Sequence, residues 1–551
     1  MAYSPTMQSG ELHCLIEVSL DSTTLLYCDE DLSLSTAADA GRFYEGRLSK
    51  GARLVRTLGT AVEARETVDT FTVALDNSDS RLSTLIRDCT FGNRAVRVFV
   101  GEGKTKSNYS MIFKGFIAHP NGVSWDDKQA QLTLVDQRVR YRKILPHPNS
   151  VYDYVTYPNM IPNMRGAVIP IVYGDWSANV GLGVSVPAVC IDKRDGYRTY
   201  KICSHPIYNI SRYLQNAVEI DISGHVSDVD LDAATFSLAD MNGDLNATND
   251  IISVNCKGVK NTGGSDCLST PAEVLKHILI THLGLSTDDM NMTAFNTFDS
   301  DVGSMVVRRV IDSQEGSDTI ISALINECNC DLRIEGGKFS PKYRQLDDAS
   351  LRQSWTDVDL VLADEKNESF EFHVERDPDR FFSNQINGRY EYNPIDARFE
   401  SKHVDTDLVS IARYNATVQR TMDFMWLYRT ADVETRTERE LVNFAVEPIS
   451  IETVVTRRAL LKNLADQINL EHDIFRSDPL QIRSLDLDLS DFTTRVRAVK
   501  MFSDTWGYWM PDTAPDYASA TEAEKRASGF WTDDNGLADP SDPNSNTFTW
   551  Y

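Results

Sequence analysis

Asp240, Asn242 and Asp244 alternate oxygen-bearing side chains around Gly243, as the first half of a cation-binding loop does. Calcium is held by about six to eight oxygens, so acids and amides at alternate positions suit it. The pattern then departs. Glycine stands at the fourth position rather than the sixth, and Ile251 occupies the place of the closing bidentate glutamate. A hairpin whose Asx side chains cap their own turn accounts for the same residues, so the three are a calcium candidate and no metal is assigned. His277 and His282 stand five apart in a helical stretch. An α-helix places them on different faces, unlike the four-residue step of H-E-x-x-H. Of the nine cysteines only Cys328 and Cys330 lie close, whereas a structural zinc site needs two close pairs. The spacing predicts scattered buried thiols in a reducing cytoplasm.

No G-x-S-x-G, Walker A or G-x-G-x-x-G pattern occurs, and Gly181-Leu182-Gly183-Val184-Ser185 is too short for a dinucleotide fingerprint. The 81 acidic residues guarantee many carboxylate pairs, but a glycosidase pair is defined by separation in space. The reading is of no catalytic residue, no cofactor and no enzyme.

The elements that would position any site are mostly strands. Phe71, Val73 and Leu75 alternate with polar or small residues, as do Val96, Val98 and Val100, and Leu132 with Leu134. Period two marks half-buried strands. Asn121-Gly122 between Ile117 and Trp125 predicts a hairpin, and Leu82, Leu85 and Ile86 predict one helical turn. Thr270 as N-cap, Pro271 at the first position, Glu273 three residues on and a terminal Gly284 predict a helix over 270–284. A second helix is predicted from Ser317 to about Asn329. The longest is predicted from near Ser450 to near Leu470, with Leu461, Leu464, Ala465 and Ile468 as its apolar stripe. Strands are predicted at 331–335, 338–344, 385–392, 420–428, 481–489 and 496–502.

At 551 residues the chain is too long for one core, and about three to five domains are expected. The expected division is a β-barrel over 1–146, a connector over 147–180 and a β-rich domain over 181–268. A small α/β domain over 269–354, a second barrel-like domain over 355–503 and an arm over 504–551 follow. The fold class is mainly β with α+β parts. The net charge of −26 disfavours nonspecific duplex binding, which needs a basic face, and disfavours an anionic membrane surface. No apolar run of about 18 residues and no signal pattern over 1–12 appear, which predicts a soluble product without a membrane anchor. The last segment, 504–551, holds nine acids against Lys525 and Arg526, and four of the eight tryptophans. Disordered tails are poor in aromatics, so this one is expected to lie on a surface. Tyr508, Trp509, Phe530, Trp531, Trp550 and Tyr551 are its interface candidates.

Several segments, taken in order, resemble a known family. They are 71–82 (Phe-Thr-Val-Ala-Leu-Asp-Asn-Ser-Asp-Ser-Arg-Leu), 96–100, 113–117, 132–136, 170–175 (Pro-Ile-Val-Tyr-Gly-Asp), 236–238 and 250–258. Residues 383–390, 410–414, 507–509 and 529–536 complete the series. Together they are similar to the tail hub proteins of siphophage-like bacteriophage tails. The resemblance implies two β-barrel hub domains with smaller α/β domains, and three copies forming a ring at the distal end of the tail tube. It implies contacts with the distal tail protein, the tube end, the tape-measure protein and fibre or spike proteins. It also implies a virion location after assembly in the host cytoplasm, and a channel through which DNA passes without sequence-specific binding. Two other readings stand beside it. One is a virion-borne glycan hydrolase using paired carboxylates. The other is a carbohydrate- or receptor-binding tail protein with exposed tryptophans as its platform.

Overall fold

Two large curled sheets dominate the chain, and two strands of the N-terminal half belong to the C-terminal sheet. The computed structural model describes residues 11–500 except 36–40, 50–51, 59–65, 69–70, 178–183, 195, 221–224, 240–249, 262–265, 345–352, 357–358, 361–372, 378–379, 461 and 472–478, and then 530–532 and 548–550. The first sheet has nine strands, running Val123–Trp125, Gln129–Asp136, Ser110–Ile117, Ala95–Glu102, Leu12–Ser19, Thr24–Cys28, Phe43–Gly46 and Leu32–Ser33, with Phe71–Asp76 on the other edge of Gln129–Asp136. Its inward positions follow the alternation in the sequence: Phe71, Val73, Leu75, Val96, Val98, Val100, Leu132 and Leu134 share one core. Asn121 does adopt φ +69 in a turn. The strand after it, however, pairs with Gln129–Asp136 and not with Ser110–Ile117, so the expected hairpin is not formed. Both strands instead lie end to end along one edge of Gln129–Asp136, which lets the sheet curl.

The second large sheet has eight strands, in the order Gln353–Thr356, Gln467–Glu471, Pro479–Asp488, Thr494–Lys500, Ile449–Val455, His373–Arg376, with Arg53–Leu58 and then Glu66–Val68 added on Pro479–Asp488. Arg53–Leu58 pairs antiparallel with Pro479–Asp488, from Thr57 opposite Ser484 to Arg53 opposite Asp488. Leu54 enters the core of the first sheet and Leu58 that of the second. In return Leu460, Leu487 and Leu489 pack into the first core.

The long helix expected near 450–470 is absent. Ile449–Val455 is a strand, a short 3-10 turn covers Arg457–Ala459, and Gln467–Glu471 is again a strand. Five of the seven residues in Ile449–Val455 are β-branched, which favours the pleated state. The longest helix among the described residues is Thr430–Phe444, which packs on the three-stranded sheet of Arg398–Thr406, Gln385–Asn393 and Gln419–Asp423. It comes so near that a Cβ at Gly388 would sit 3.0 to 3.3 Å from the Phe424, Val433 and Thr437 side chains, so a larger residue there fits only if these side chains give way by a few tenths of an ångström.

The chain from 186 to 343 forms two four-stranded sheets over 186–259 and a helical unit of Pro271–His277, Met292–Val302 and Ser317–Glu327 with the hairpin Cys330–Glu335 and Lys338–Tyr343. The capping box forms as the sequence predicts: Glu273 N–H donates to Thr270 Oγ1, and Glu273 accepts from the Thr270 N–H. All nine cysteines are free, and only Cys89 is exposed. No described helix is long and apolar enough to cross a membrane.

Candidate functional site

Asp240, Asn242 and Asp244, the calcium candidates, lie outside the described residues, as do Tyr508, Trp509 and Tyr551. Of the other arm residues, Phe530 and Trp531 begin the strand Phe530–Thr532, which pairs antiparallel with Phe548–Trp550. Phe530 stands opposite Trp550, and Trp531 opposite Thr549. Three of the six interface candidates are thus brought onto one small hairpin.

The two histidines meet, contrary to the sequence reading. After His277 the helix widens into a π turn over Ile278–His282, with the Leu283 N–H donating to the Ile278 carbonyl five residues back. A five-residue hydrogen-bonded step carries His282 back onto the face of His277, and their rings meet edge-on at 5.2 Å. The Tyr173 hydroxyl lies 2.9 Å from His277 Nδ1. His282 Nε2 is buried with no hydrogen-bond partner. His205 Nε2 accepts the Val172 N–H at 2.9 Å, which leaves the proton on Nδ1 beside the Pro206 carbonyl. Burial pushes His205 and His282 down to about 4, with neighbouring histidines adding to the shift. The three rings are therefore neutral packing groups near pH 7.

Buried charges tie the central units together. Glu327, at the end of its helix, accepts the backbone N–H groups of Met425, Trp426 and Leu427 at 2.9, 2.7 and 3.1 Å. These three donors explain why the strand predicted at 420–428 ends near Asp423: Phe424 N–H still donates to the Arg389 carbonyl, but the donors from Met425 on face a helix end instead of a neighbouring strand. The Arg308 guanidinium is 2% exposed and lies between the Trp176 and Tyr428 rings at 4.6 and 4.1 Å, 3.5 Å from Glu391. Burial pushes it down to about 10, so it stays cationic. In the helix Thr430–Phe444, Glu440 is ion-paired with Arg436 and Arg420.

An open groove of about 1010 Å³ runs over the sheet of Val189–Arg194, Tyr197–Lys201, Thr235–Ala239 and Val226–Asp230. Its walls carry Asp192, Asp228, Asp230, Tyr197 and Lys260. Asp230 is occupied by the Asp232 and Ala233 N–H groups at 3.0 and 2.9 Å, and Asp192 by Arg194 and Asn159 at 2.7 and 3.1 Å. These carboxylates hold turns and neighbouring side chains. One further cluster, His13 with Cys28 and Asp29, has metal-ligating chemistry that the sequence did not disclose. The three are joined only by the pairing of two strands, and no local spacing marks them.

No family model matches the chain, and no curated protein matches it significantly. Among solved structures, the 43 kDa tail protein of prophage MuSo2 from Shewanella oneidensis aligns at 9% identity over 89% of this chain and 98% of its own, with a TM-score of 0.35. A component of the native gene transfer agent virion aligns at 11% identity over 63% of this chain and 87% of its own, with a TM-score of 0.40. The prophage tail protein gp18 of Listeria monocytogenes EGD-e aligns at 11% identity over 60% of this chain and 94% of its own, with a TM-score of 0.29. TM-scores of this size do not by themselves establish a common fold.

Proposed function

We propose that the chain is a structural protein of a phage tail tip: a homotrimeric hub that closes the distal end of the tail tube and joins it to the distal tail, tape-measure and fibre or spike proteins. The observation that supports this most is the interlock of the two curled sheets through Arg53–Leu58 on Pro479–Asp488. It fuses the first and last parts of a long chain into one stiff unit, as a ring segment under load requires. The ordered series of segments resembling tail hubs supports the same reading. Large β surfaces and an aromatic arm suit extensive head-to-tail contacts that close into a ring. The charge of −26 suits a channel wall that repels DNA phosphates and lets the duplex slide.

Native mass spectrometry and electron microscopy of the purified chain test this. The expected result is a three-fold ring that docks on the end of tail tubes. A species that stays monomeric at all concentrations, with or without tubes, rejects it. The groove beside the half-exposed Tyr197 favours a second reading as a glycan-binding surface. Binding of the isolated chain to host cells without fibres separates that role from a hub alone.

A further inference from the structure

The outer face of the first sheet buries a second, small cluster of Leu15, Cys28, Leu32, Leu34, Tyr44, Phe99 and Tyr109. Glu17 closes one end of this face, bonded to the Tyr44 hydroxyl at 2.7 Å and to Lys106 at 2.9 Å. The other end is closed by His13, Cys28 and Asp29. The register sets Leu15 opposite Cys28, so His13, two residues before Leu15, points to the same side of the sheet as the thiol. Asp29 follows at the strand end. Its Oδ1 accepts the Cys14 N–H and the Cys28 thiol, both at 3.0 Å, and its Oδ2 lies 3.4 Å from His13 Nδ1. The nitrogen, sulfur and carboxylate oxygen all lie within 4.8 Å of one another.

We propose that His13 Nδ1, Cys28 Sγ and Asp29 Oδ2 form a binding site for one divalent zinc-like ion. Metal–ligand bonds of about 2.0–2.3 Å in a tetrahedron put ligand atoms roughly 3.3–3.7 Å apart, and since the ligand atoms here lie within 4.8 Å of one another, no pair must close by more than about 1.5 Å. One sulfur, one imidazole and one carboxylate are a borderline-soft donor set, which suits zinc or cobalt and disfavours calcium or magnesium. A second feature lies beyond the three ligand atoms. His13 Nε2 faces Glu30 Oε1 at 3.5 Å, a carboxylate contact of the kind that orients a metal-binding imidazole. Asp29 is held in turn by the Cys14 N–H. His13 and Cys28 are buried while Asp29 is exposed, so the ion enters from the Asp29 side and keeps a water in the fourth position. Binding forms the metal–sulfur bond as the Cys28 thiol proton leaves to solvent. The bound ion pins Thr24–Cys28 to Leu12–Ser19 beyond their last shared hydrogen bonds.

Titration of the reduced full-length chain with cobalt(II), followed by absorption, tests the site. One cobalt per chain is expected, with a thiolate-to-metal band in the near ultraviolet, displaced by zinc. Cys28→Ser removes the band and Cys89→Ser leaves it. Asp29→Asn, a nearly isosteric change at an exposed position, is expected to keep the circular dichroism of the native chain and bind at least about ten-fold more weakly. Glu30→Gln weakens binding about ten- to a hundred-fold. Absence of the band, its survival in Cys28→Ser, or full affinity in a folded Asp29→Asn overturns the proposal.

Discussion

Glu440 lies 2% exposed in the middle of a helix that carries almost no apolar stripe. Burial alone raises a carboxyl, yet the Arg436 and Arg420 guanidinia outweigh it and hold Glu440 down at about 2. The folded chain thus binds this proton less readily than the unfolded chain. The contribution to stability is complete above the ordinary glutamate range near 4.5 and is lost as pH falls toward about 2. Glu440→Gln leaves the buried Arg436 guanidinium and the half-buried Arg420 guanidinium without this counter-charge, and the expected cost is about 3–5 kcal/mol. Urea unfolding at neutral pH measures it. A variant as stable as the parent, or one that keeps the parent's acid sensitivity below the ordinary glutamate range, removes the role given to the network. Replacing all three residues with apolar ones of similar volume is expected to cost far less, because no charge is then left unpaired.

At the scale of elements, the π turn makes a second, separate pH response. His205 and His282 are held near 4, whereas an unfolded histidine takes up its proton near 6.5. The unfolded chain therefore binds more protons across that interval, and stability falls as pH drops from about 6.5 to about 4. His282→Gln is expected to flatten this part of the urea-midpoint profile, and an unchanged profile refutes it. The turn also shows where sequence reading succeeds and fails. Thr270, Pro271 and Glu273 announce the start of the helix because capping is a local matter. The widening after His277 is set by tertiary packing, and an α-helical period put the histidines on the wrong faces. The strand alternation around Phe71 and Val96 was legible because Phe71, Val73, Leu75, Val96, Val98 and Val100 all turn to one core at every second position. Thr430–Phe444 was missed for the opposite reason: its buried face carries Asp432, Arg436, Thr437, Glu440 and Asn443, and ion pairs such as Arg429–Asp432 and Arg436–Glu440, with Arg420 from outside the helix, let polar residues sit where an apolar stripe is expected. The stretch around 450–470 misled in turn. Its leucines recur at a helical interval, but the flanking β-branched residues join Thr494–Lys500, a partner no local pattern names. His13 and Cys28 escaped notice likewise, being fifteen positions apart and united only by strand register.

At the scale of the whole molecule, Arg53–Leu58 is the stitch between the two large sheets. Leu58 is fully buried in the second core although it arrives from the first seventh of the chain. Leu58→Ala is expected to cost about 2–5 kcal/mol, and hydrogen exchange should speed in both sheets together, since one strand serves both. Faster exchange in the second sheet alone would show two independent units. The arm makes the converse prediction. Among the described residues, the hydrophobic clusters of both sheets are built from residues up to Val499, whereas Phe530–Thr532 and Phe548–Trp550 pair with each other. A chain lacking 507–551 should then keep its thermal unfolding within about 0.5 kcal/mol of the parent, the range of surface changes. The loss should appear in assembly, because aromatic residues in an acidic arm have most to gain by burial against a neighbour that offers apolar or basic surface. Infectious particles produced at normal yield from the truncated gene would leave the arm without that role. A collapse of the melting transition would instead make it part of the chain's own core.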